Sequence, residues 1–184
     1  MNNKAYIGKL ISVNEVEIVL PNNKKAQREI VNHPGSSAII AINDNKEIYM
    51  INQYRAPLDK MSIEIPAGIL EPKECPMKCA IRELKEETGL TAINVKHLLS
   101  VYSSPGFCNE IVHIFLATKL KQESVCLDDD EYLFCQKIKM DKLIDMIING
   151  EINDSKSIIG ILFAEKIMRE STWKSLMIQK QGLR

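Results

Sequence analysis

Three glutamates within one short segment are the residues of this sequence best placed to do chemistry. Glu83, Glu86 and Glu87 stand at positions i, i+3 and i+4, which puts three carboxylates on one face of an α-helix, where like charges repel. Carboxylate oxygens are ligands that Mg²⁺ uses together with substrate phosphates. The spacing indicates a metal site for phosphate chemistry; the alternative is a solvated acidic face whose charge is balanced by Arg82 and nearby lysines.

The helix that must position these glutamates has signals at both ends. Pro76 suits the first helical position, and Gly89 suits a C-terminal stop. Between them, apolar residues recur at helical spacing and predict one buried face: Met77, Ala80, Ile81 and Leu84. We therefore predict a helix of about three to four turns with a loop on either side.

The segment around this helix resembles a known motif, the Nudix box. The pattern is Gly, five residues, Glu, seven residues, Arg-Glu, an aliphatic residue, any residue, Glu-Glu, any residue, Gly and an aliphatic residue. Its defined positions are filled by Gly68, Glu74, Arg82, Glu83, Leu84, Glu86, Glu87, Gly89 and Leu90. The resemblance implies a loop, helix and loop that hold Mg²⁺ or Mn²⁺ for hydrolysis of a nucleoside diphosphate linked to another moiety. It makes the three glutamates metal ligands and Arg82 an orienting partner for the carboxylates.

Two segments before the box resemble the ADP-ribose pyrophosphatase branch of the Nudix family. They are Gln53-Tyr54-Arg55-x-Pro57 and Glu64-Ile-Pro-Ala-Gly68. The resemblance makes Arg55 a phosphate contact, for which its planar fork is suited. It also places Glu64 at the substrate and makes the backbone carbonyl of Ala67 a metal ligand. The alternatives are a surface charge for Arg55 and a small residue before a tight turn for Ala67.

A loop after the box carries the next candidates. Pro105 lies sixteen residues beyond Gly89 and is followed by Gly106. A proline at this distance in a Ser-Pro-Gly setting resembles the feature that separates ADP-ribose hydrolases from other Nudix proteins. By the same resemblance Glu110 contacts the terminal ribose; its alternative is a polar residue at a strand start.

The acidic run 128–131 supplies the candidate for water activation. Such a run is usually solvated loop, but in a metal-dependent phosphate enzyme it can provide the carboxylate that handles water. Aligned with the ADP-ribose family pattern, Glu131 falls at the family's loop glutamate. Asp130 is the second candidate.

Composition limits the partners and the location. Lysine plus arginine equals aspartate plus glutamate, 24 each, so no overall basic field favours nucleic acid, and the expected partner is a small phosphate ester. No apolar run approaches the ~18 residues of a membrane helix, and the polar start is not a signal peptide. Five cysteines without a Cys-x-x-Cys pair indicate reduced thiols. We expect a cytoplasmic protein that does not bind membranes.

The hydrophobic patterns predict an α/β protein. Residues 5–20 read as a hairpin, and a third strand runs to residue 33. A second hairpin is predicted from 38–42 and 47–54, and later strands from 95–102, 110–120 (a central strand) and 133–140. Helices are predicted over 142–148, capped by Asp141, and from 154 or 155 to about 170. With the resemblance, this gives a Nudix-type α/β/α sandwich with a mixed sheet and a small N-terminal antiparallel sheet.

The domain prediction divides the chain at residue 36. Residues 1–36 form a β piece too small for its own core, and residues 37–184 form the Nudix domain. The family resembled here forms homodimers through exchanged N-terminal β pieces. We therefore expect a homodimer in which Arg28 reaches toward the partner's site.

The function implied is hydrolysis of the pyrophosphate bond of ADP-ribose to AMP and ribose 5-phosphate. Two or three Mg²⁺ ions, held by the Ala67 carbonyl and the three glutamates, would neutralise the diphosphate and lower the pKa of the attacking water. One alternative is a Nudix hydrolase acting on a sugar nucleotide or a flavin dinucleotide. A second, from another class, is a non-catalytic sensor of nucleotide sugars that kept the fold.

Overall fold

A computed structural model of the protein describes residues 3–123 and 133–169. Within these ranges the strands are β1 (Asn3–Ile7), β2 (Ser12–Val19), β3 (Lys25–Asn32), β4 (Ser36–Ala41), β5 (Glu47–Arg55), β6 (Lys60–Glu64), β7 (Ala67–Ile69), β8 (Leu90–Tyr102), β9 (Ile111–Gln122) and β10 (Leu133–Lys139). The helices are α1 (Pro76–Thr88), α2 (Met140–Ile148) and α3 (Ser155–Arg169), with a short 3₁₀ helix at Ala56–Leu58. None of the helices in these ranges is long and apolar enough to cross a membrane.

The central sheet has the strand order β7-β4-β9-β8, in which β4 and β9 are parallel and the other pairs are antiparallel. Every residue of β4 is buried. Alternate β4 residues therefore serve two cores. Ile39 packs in one core with Ala80 and Leu84 of α1, whereas Ile40 packs in the other with Leu143 of α2 and Ile161 of α3. These layers confirm the predicted α/β/α sandwich and the central position of β9.

The predicted second hairpin is wrong, because β4 and β5 lie in different sheets. Strand β5 pairs with β10 and β6 in a separate three-stranded sheet. Only one bridge, between Ile42 and Ile48, joins the two segments after the turn. Both edges of β4 are occupied, one by β7 and the other by β9. Strand β5 therefore cannot pair with β4 in the central sheet and pairs with β6 and β10 instead.

The N-terminal sheet has the order β1-β2-β3 and is antiparallel throughout, which confirms its predicted hairpin and third strand. It attaches to the loop after β8 of the same chain. The Val31 N–H donates to the Phe107 carbonyl at 2.8 Å, and the Asn109 N–H donates to the Val31 carbonyl at 3.1 Å. The Asn109 side chain also accepts from the His33 N–H at 2.8 Å. Strand β3 thus holds the loop that contains Pro105 and Gly106.

Helix α1 spans the predicted segment and ends at Gly89, whose φ of 68° is in the left-handed region that favours glycine. Ala80 and Leu84 are fully buried, but Met77, in the first turn of the helix, is exposed. Helix α3 begins as predicted, with an Asp154 carboxylate oxygen accepting from the Ser157 N–H at 2.9 Å.

The starts of α2 and β8 differ from the predicted ones. Helix α2 begins at Met140, and Asp141 lies inside its first turn instead of capping it. An acidic side chain there is still favourable, because it lies at the positive end of the helix dipole. Strand β8 begins at Leu90 and not at residue 95, since it follows the Gly89 turn directly and pairs with the whole length of β9.

Candidate active site

A cleft of about 540 Å³ lies beside one end of the central sheet, where α1, β7 and the start of α3 meet. It brings together predicted site residues that are far apart in the sequence. These are Arg55, Ala67, Arg82, Glu83, Glu86 and Glu110. The cleft can therefore present carboxylates and a guanidinium to one small ligand.

Strand β7 places backbone atoms against the carboxylates of α1. It pairs with β4, with Ala67 opposite Ala38 and Gly68 opposite Ser37. The Ala67 N–H donates to a Glu87 carboxylate oxygen at 3.0 Å. A Cβ on Gly68 would overlap the Glu83 carboxylate. Glycine at position 68 is thus what allows Glu83 to lie directly on the β7 backbone.

Arg82 lies among three carboxylates of the box. Its Nη1 donates to Glu83 at 2.6 Å and to Glu86 at 2.9 Å, while its Nε and Nη2 each donate to Glu74 at 3.1 Å. The hydrogen bonds to Glu74, and then the interactions with Glu83 and Glu86, raise the pKa of Arg82. The same contact with Arg82 lowers the pKa of Glu74. In this structure the repulsion between the glutamates is offset by Arg82.

The donor set suits a hard divalent cation. Glu83, Glu86 and Glu87 supply carboxylate oxygens, the ligands that Mg²⁺ prefers, and the Gly68 backbone leaves room for the first of them. Across residues 3–123 and 133–169, no three acidic, histidine or cysteine side chains are already gathered around one point as ligands. Glu83 and Glu86 are turned toward Arg82, and Glu87 toward the Ala67 N–H. The residues fit the ion chemically, and binding it requires these carboxylates to reorient.

Arg55 is held at the cleft by a buried carboxylate. Glu64, whose side chain is 3% exposed, accepts from Arg55 Nε at 2.9 Å and from Nη2 at 2.7 Å, and it also pairs with Lys156. Burial acts to raise the pKa of Glu64, but Arg55 and Lys156 outweigh it and lower the pKa to about 2. Lys156 further pairs with Asp154 at 3.1 Å. Two cations and two carboxylates therefore form one network on the wall of the cleft.

Lys156 and Asp154 are site residues that the sequence did not indicate, since their segment carries only the signal of a helix start. The Ser157 hydroxyl accepts from the Ile65 N–H at 2.8 Å, which attaches the start of α3 beside Glu64. Lys156 and Glu64 are separated by 92 residues in the chain. No local spacing relates them, so only the fold shows the pair.

We expect Glu64→Gln to destabilise the protein and to change its response to acid. The folded pKa of Glu64 lies below the ordinary value of 4.5. Its contribution is therefore present above about pH 4.5 and is lost as the pH falls toward 2. Removing the charge leaves Arg55 and Lys156 without their shared partner, so the free energy of unfolding at pH 7 should fall by roughly 3 kcal/mol.

Urea unfolding at pH 7 and pH 3 measures this effect. The stability lost between the two pH values should be smaller in Glu64→Gln than in the wild type. Glu17→Gln is the matched control, because its pair with Lys25 is exposed and contributes little. Equal acid sensitivity in Glu64→Gln and the wild type would refute the network's role in stability.

The remaining predicted residues are distributed between two places. Glu110 lines the cleft and accepts from the Ser36 hydroxyl at 2.9 Å. Arg28, Pro105 and Gly106 line a separate groove of about 400 Å³ between the N-terminal sheet and the loop after β8. The structure of one chain does not bring these three into the cleft.

The two candidates for water activation are in the part of the sequence between β9 and β10. Glu131 and Asp130 both lie outside the described residues. The described residues immediately around that segment are the end of β9 and the start of β10. Of the five cysteines, the four in the described ranges, Cys75, Cys79, Cys108 and Cys135, are free thiols, as expected.

Comparison with known proteins gives consistent results. A family model described as the NUDIX domain matches residues 31–158. The chain is 40% identical to the ADP-ribose pyrophosphatase of Bacillus subtilis (strain 168), over 87% of this chain and 88% of that protein. It is 39% identical to a methanol dehydrogenase activator of Bacillus methanolicus, with the same coverage. A crystal structure of an ADP compounds hydrolase has a similar fold, with a TM-score of 0.80 over 92% of each chain at 19% identity.

Proposed function

The chain belongs to the Nudix family of pyrophosphohydrolases, and we propose that it hydrolyses the pyrophosphate bond of ADP-ribose to give AMP and ribose 5-phosphate. The observation that carries the proposal is that Glu83 and Glu86 of the box line the same cleft as Arg55. The near full-length similarity to an ADP-ribose pyrophosphatase supports the choice of substrate.

Nudix enzymes generally use a divalent metal such as Mg²⁺. Here the Ala67 carbonyl and the carboxylates of Glu83, Glu86 and Glu87 would hold it, as two or three ions, with Mn²⁺ as a substitute. When bound, the metal neutralises the diphosphate and lowers the pKa of the attacking water. Arg82 would release Glu83 and Glu86 to the metal and stay beside them through Glu74, which it contacts with its other nitrogens.

Arg55 would bind a phosphate oxygen of the substrate. Its Nε and Nη2 are used by Glu64, and in the described part of the chain its Nη1 makes no hydrogen bond. The pair with Glu64 fixes the plane of the guanidinium, so a donor is presented to the cleft at little cost in side-chain entropy. Lys156 shares Glu64 with Arg55, which leaves part of the guanidinium charge available to the diphosphate.

The other predicted residues complete the proposal. Glu110 would contact the terminal ribose, and Glu131, or else Asp130, would orient or deprotonate the attacking water. Pro105 and Gly106 would shape the substrate site through the loop that β3 holds. A cytoplasmic location fits the free thiols of the described cysteines.

A panel assay tests the function. Purified protein is incubated with ADP-ribose, sugar nucleotides and a flavin dinucleotide, each with Mg²⁺ or Mn²⁺, and the products are identified by mass. AMP and ribose 5-phosphate as the products formed with the highest kcat/KM support the proposal. Preference for another substrate would assign a different Nudix hydrolase. Calorimetric binding of ADP-ribose without turnover would identify a sensor.

We further propose that the protein is a homodimer whose N-terminal piece, residues 1–36, completes the partner's site. The N-terminal sheet exposes large apolar side chains, among them Tyr6, Ile7 and Val19, as a surface that packs against a second chain would. Arg28 would serve the partner's site, since within its own chain it lines a groove separate from the cleft.

Complementation between two variants tests this arrangement. Arg28→Ala and Glu86→Gln are co-expressed with different tags, and the heterodimer is purified. If Arg28 acts in the partner's site, one of the two sites contains both native residues, so the heterodimer should regain about half of the wild-type kcat/KM. If Arg28 acts within its own chain, no site is complete and activity stays at or below the Arg28→Ala level. Light scattering that gives a monomer mass for the wild type would contradict the dimer itself.

A further inference from the structure

His33 lies in the short segment His33-Pro34-Gly35 between β3 and β4 and lines the cleft. Its side chain is 11% exposed. The Gly35 N–H donates to His33 Nδ1 at 3.0 Å, and Gly35 has a φ of 95°, a conformation that favours glycine. The imidazole is therefore held in one orientation by the backbone of its own turn.

This contact determines which ring nitrogen carries the proton. A nitrogen that accepts a hydrogen bond is unprotonated, so a neutral His33 carries its hydrogen on Nε2. Within the described residues, Nε2 has no hydrogen-bond partner. Glu110 Oε1 lies 3.6 Å from Nδ1, beyond hydrogen-bond distance, and already accepts from Ser36. The ring thus offers one fixed donor that no residue in 3–123 or 133–169 uses.

An acceptor lies near the same ring, because Glu110 Oε1 is 3.6 Å from His33 Nδ1 and Glu110 lines the cleft with His33. One of its carboxylate oxygens accepts from Ser36, and the other makes no hydrogen bond within residues 3–123 and 133–169. A phosphate is disfavoured next to this carboxylate by charge repulsion. A hydroxyl group can both accept from His33 Nε2 and donate to Glu110, so the two side chains together match a sugar hydroxyl.

The position of the pair fits a substrate whose diphosphate lies at the box. Ser36 is opposite Ile69 of β7 and opposite Val112 of β9. Neighbouring strands are ~4.8 Å apart. The donor and acceptor therefore lie at the same end of the sheet as Ala67 and Gly68, within the reach of a sugar attached to the diphosphate.

We propose that His33 is a specificity-determining residue, whose Nε2–H holds a hydroxyl of the terminal sugar together with the Glu110 carboxylate. The inference rests on the proposed function, since it assigns part of the same cleft to the ribose of ADP-ribose. His33 lies outside the Nudix box, and its spacing from the box residues in the sequence does not indicate a role.

Two carboxamide variants separate the two roles of the ring. In His33→Asn the side-chain oxygen can still accept from Gly35, but no donor reaches the position of Nε2. In His33→Gln the amide nitrogen can reach that position, but the Gly35 N–H loses its acceptor. A structural role predicts that Gln is the worse replacement, whereas a role in binding the sugar predicts that Asn is worse.

The assay compares ADP-ribose with the P2-ethyl ester of ADP, which keeps the diphosphate diester but has no terminal sugar. In His33→Asn the ratio of kcat/KM for ADP-ribose to kcat/KM for the ester should fall by about 10- to 30-fold, the loss expected for one hydrogen bond to a fixed donor. His33→Gln should keep the ratio within a few-fold of the wild type. An unchanged ratio in His33→Asn, or an equal loss on both substrates, would overturn the proposal.

Two further measurements do not depend on turnover. Calorimetry should show that His33→Asn weakens binding of ribose 5-phosphate but not of ethyl phosphate. The ¹⁵N shifts of the His33 ring should show a protonated Nε2 and an unprotonated Nδ1, and the reverse tautomer would also overturn the inference. If the wild type fails to cleave ADP-ribose but this binding difference remains, the proposed function is wrong and the sugar site stands.

Discussion

Glu86→Gln is expected to lower kcat at least ~10²-fold while leaving the fold intact, because the loss of a ligand charge weakens metal binding directly. Its side chain is 38% exposed, and its contact in the structure is with Arg82. An exposed ion pair of this kind contributes about 0–1 kcal/mol. The variant should therefore unfold at nearly the wild-type urea concentration. Glu87→Gln should lose a similar factor in kcat for the same reason. It should also keep the fold, since the amide oxygen can still accept from the Ala67 N–H.

Steady-state kinetics over a range of Mg²⁺ concentrations measures this loss. Glu123→Gln is the matched control, because it changes the net charge equally. It removes an exposed ion pair with Lys85, which lies on α1 like Glu86. Part of the loss in Glu86→Gln should be recovered at high Mg²⁺, and Glu123→Gln should behave as the wild type. Near wild-type turnover by both Glu86→Gln and Glu87→Gln at low Mg²⁺ would refute the metal site.

Gly68→Ala is expected to be nearly as damaging, although it adds only one methyl group. The new Cβ would overlap the Glu83 carboxylate, so this carboxylate must leave its place on β7. A side-chain end can move away at little cost in stability, but a displaced ligand changes the metal geometry. We expect kcat to fall ~10- to 100-fold, with the free energy of unfolding changed by less than about 1 kcal/mol.

A double-mutant cycle shows whether this effect runs through Glu83. If it does, adding Gly68→Ala to Glu83→Gln should cost far less activity than adding it to the wild type. Independent, multiplicative losses would mean that the alanine acts on the backbone of β7 instead. A large loss of stability in Gly68→Ala alone would point to the same conclusion.

The parts of this molecule that follow from local spacing were predictable from the sequence. Helix α1 needs only Pro76, Gly89 and the apolar positions between them, all within one segment. The position of β9 followed from its continuous apolar pattern, because only a strand covered on both faces tolerates it. The chemistry of the box is likewise a local pattern, so its residues could be named before their geometry was known.

The features that were missed depend on which segments meet. The strands of the predicted second hairpin are adjacent in sequence, and their separation into two sheets follows from competition by β7 and β9 for the edges of β4. The network of Glu64 and Lys156 joins segments 92 residues apart. The role of Arg82 was predictable only in part. Its nearness to Glu83 and Glu86 follows from the sequence, but its contact with Glu74 depends on the loop before α1.

The attachment of β3 to the loop after β8 also bears on how the chain is made. His33 and Asn109, which this contact joins, are 76 residues apart. At a synthesis rate of roughly 5–20 residues per second, several seconds pass between the emergence of these two residues from the ribosome. Throughout that interval β1, β2 and β3 have no docking surface in their own chain, and small antiparallel sheets are only marginally stable alone. A nascent chain therefore exposes a sheet with unpaired edge strands. In this state, pairing with the sheet of a neighbouring nascent copy competes with attachment to the loop after β8 of the same chain.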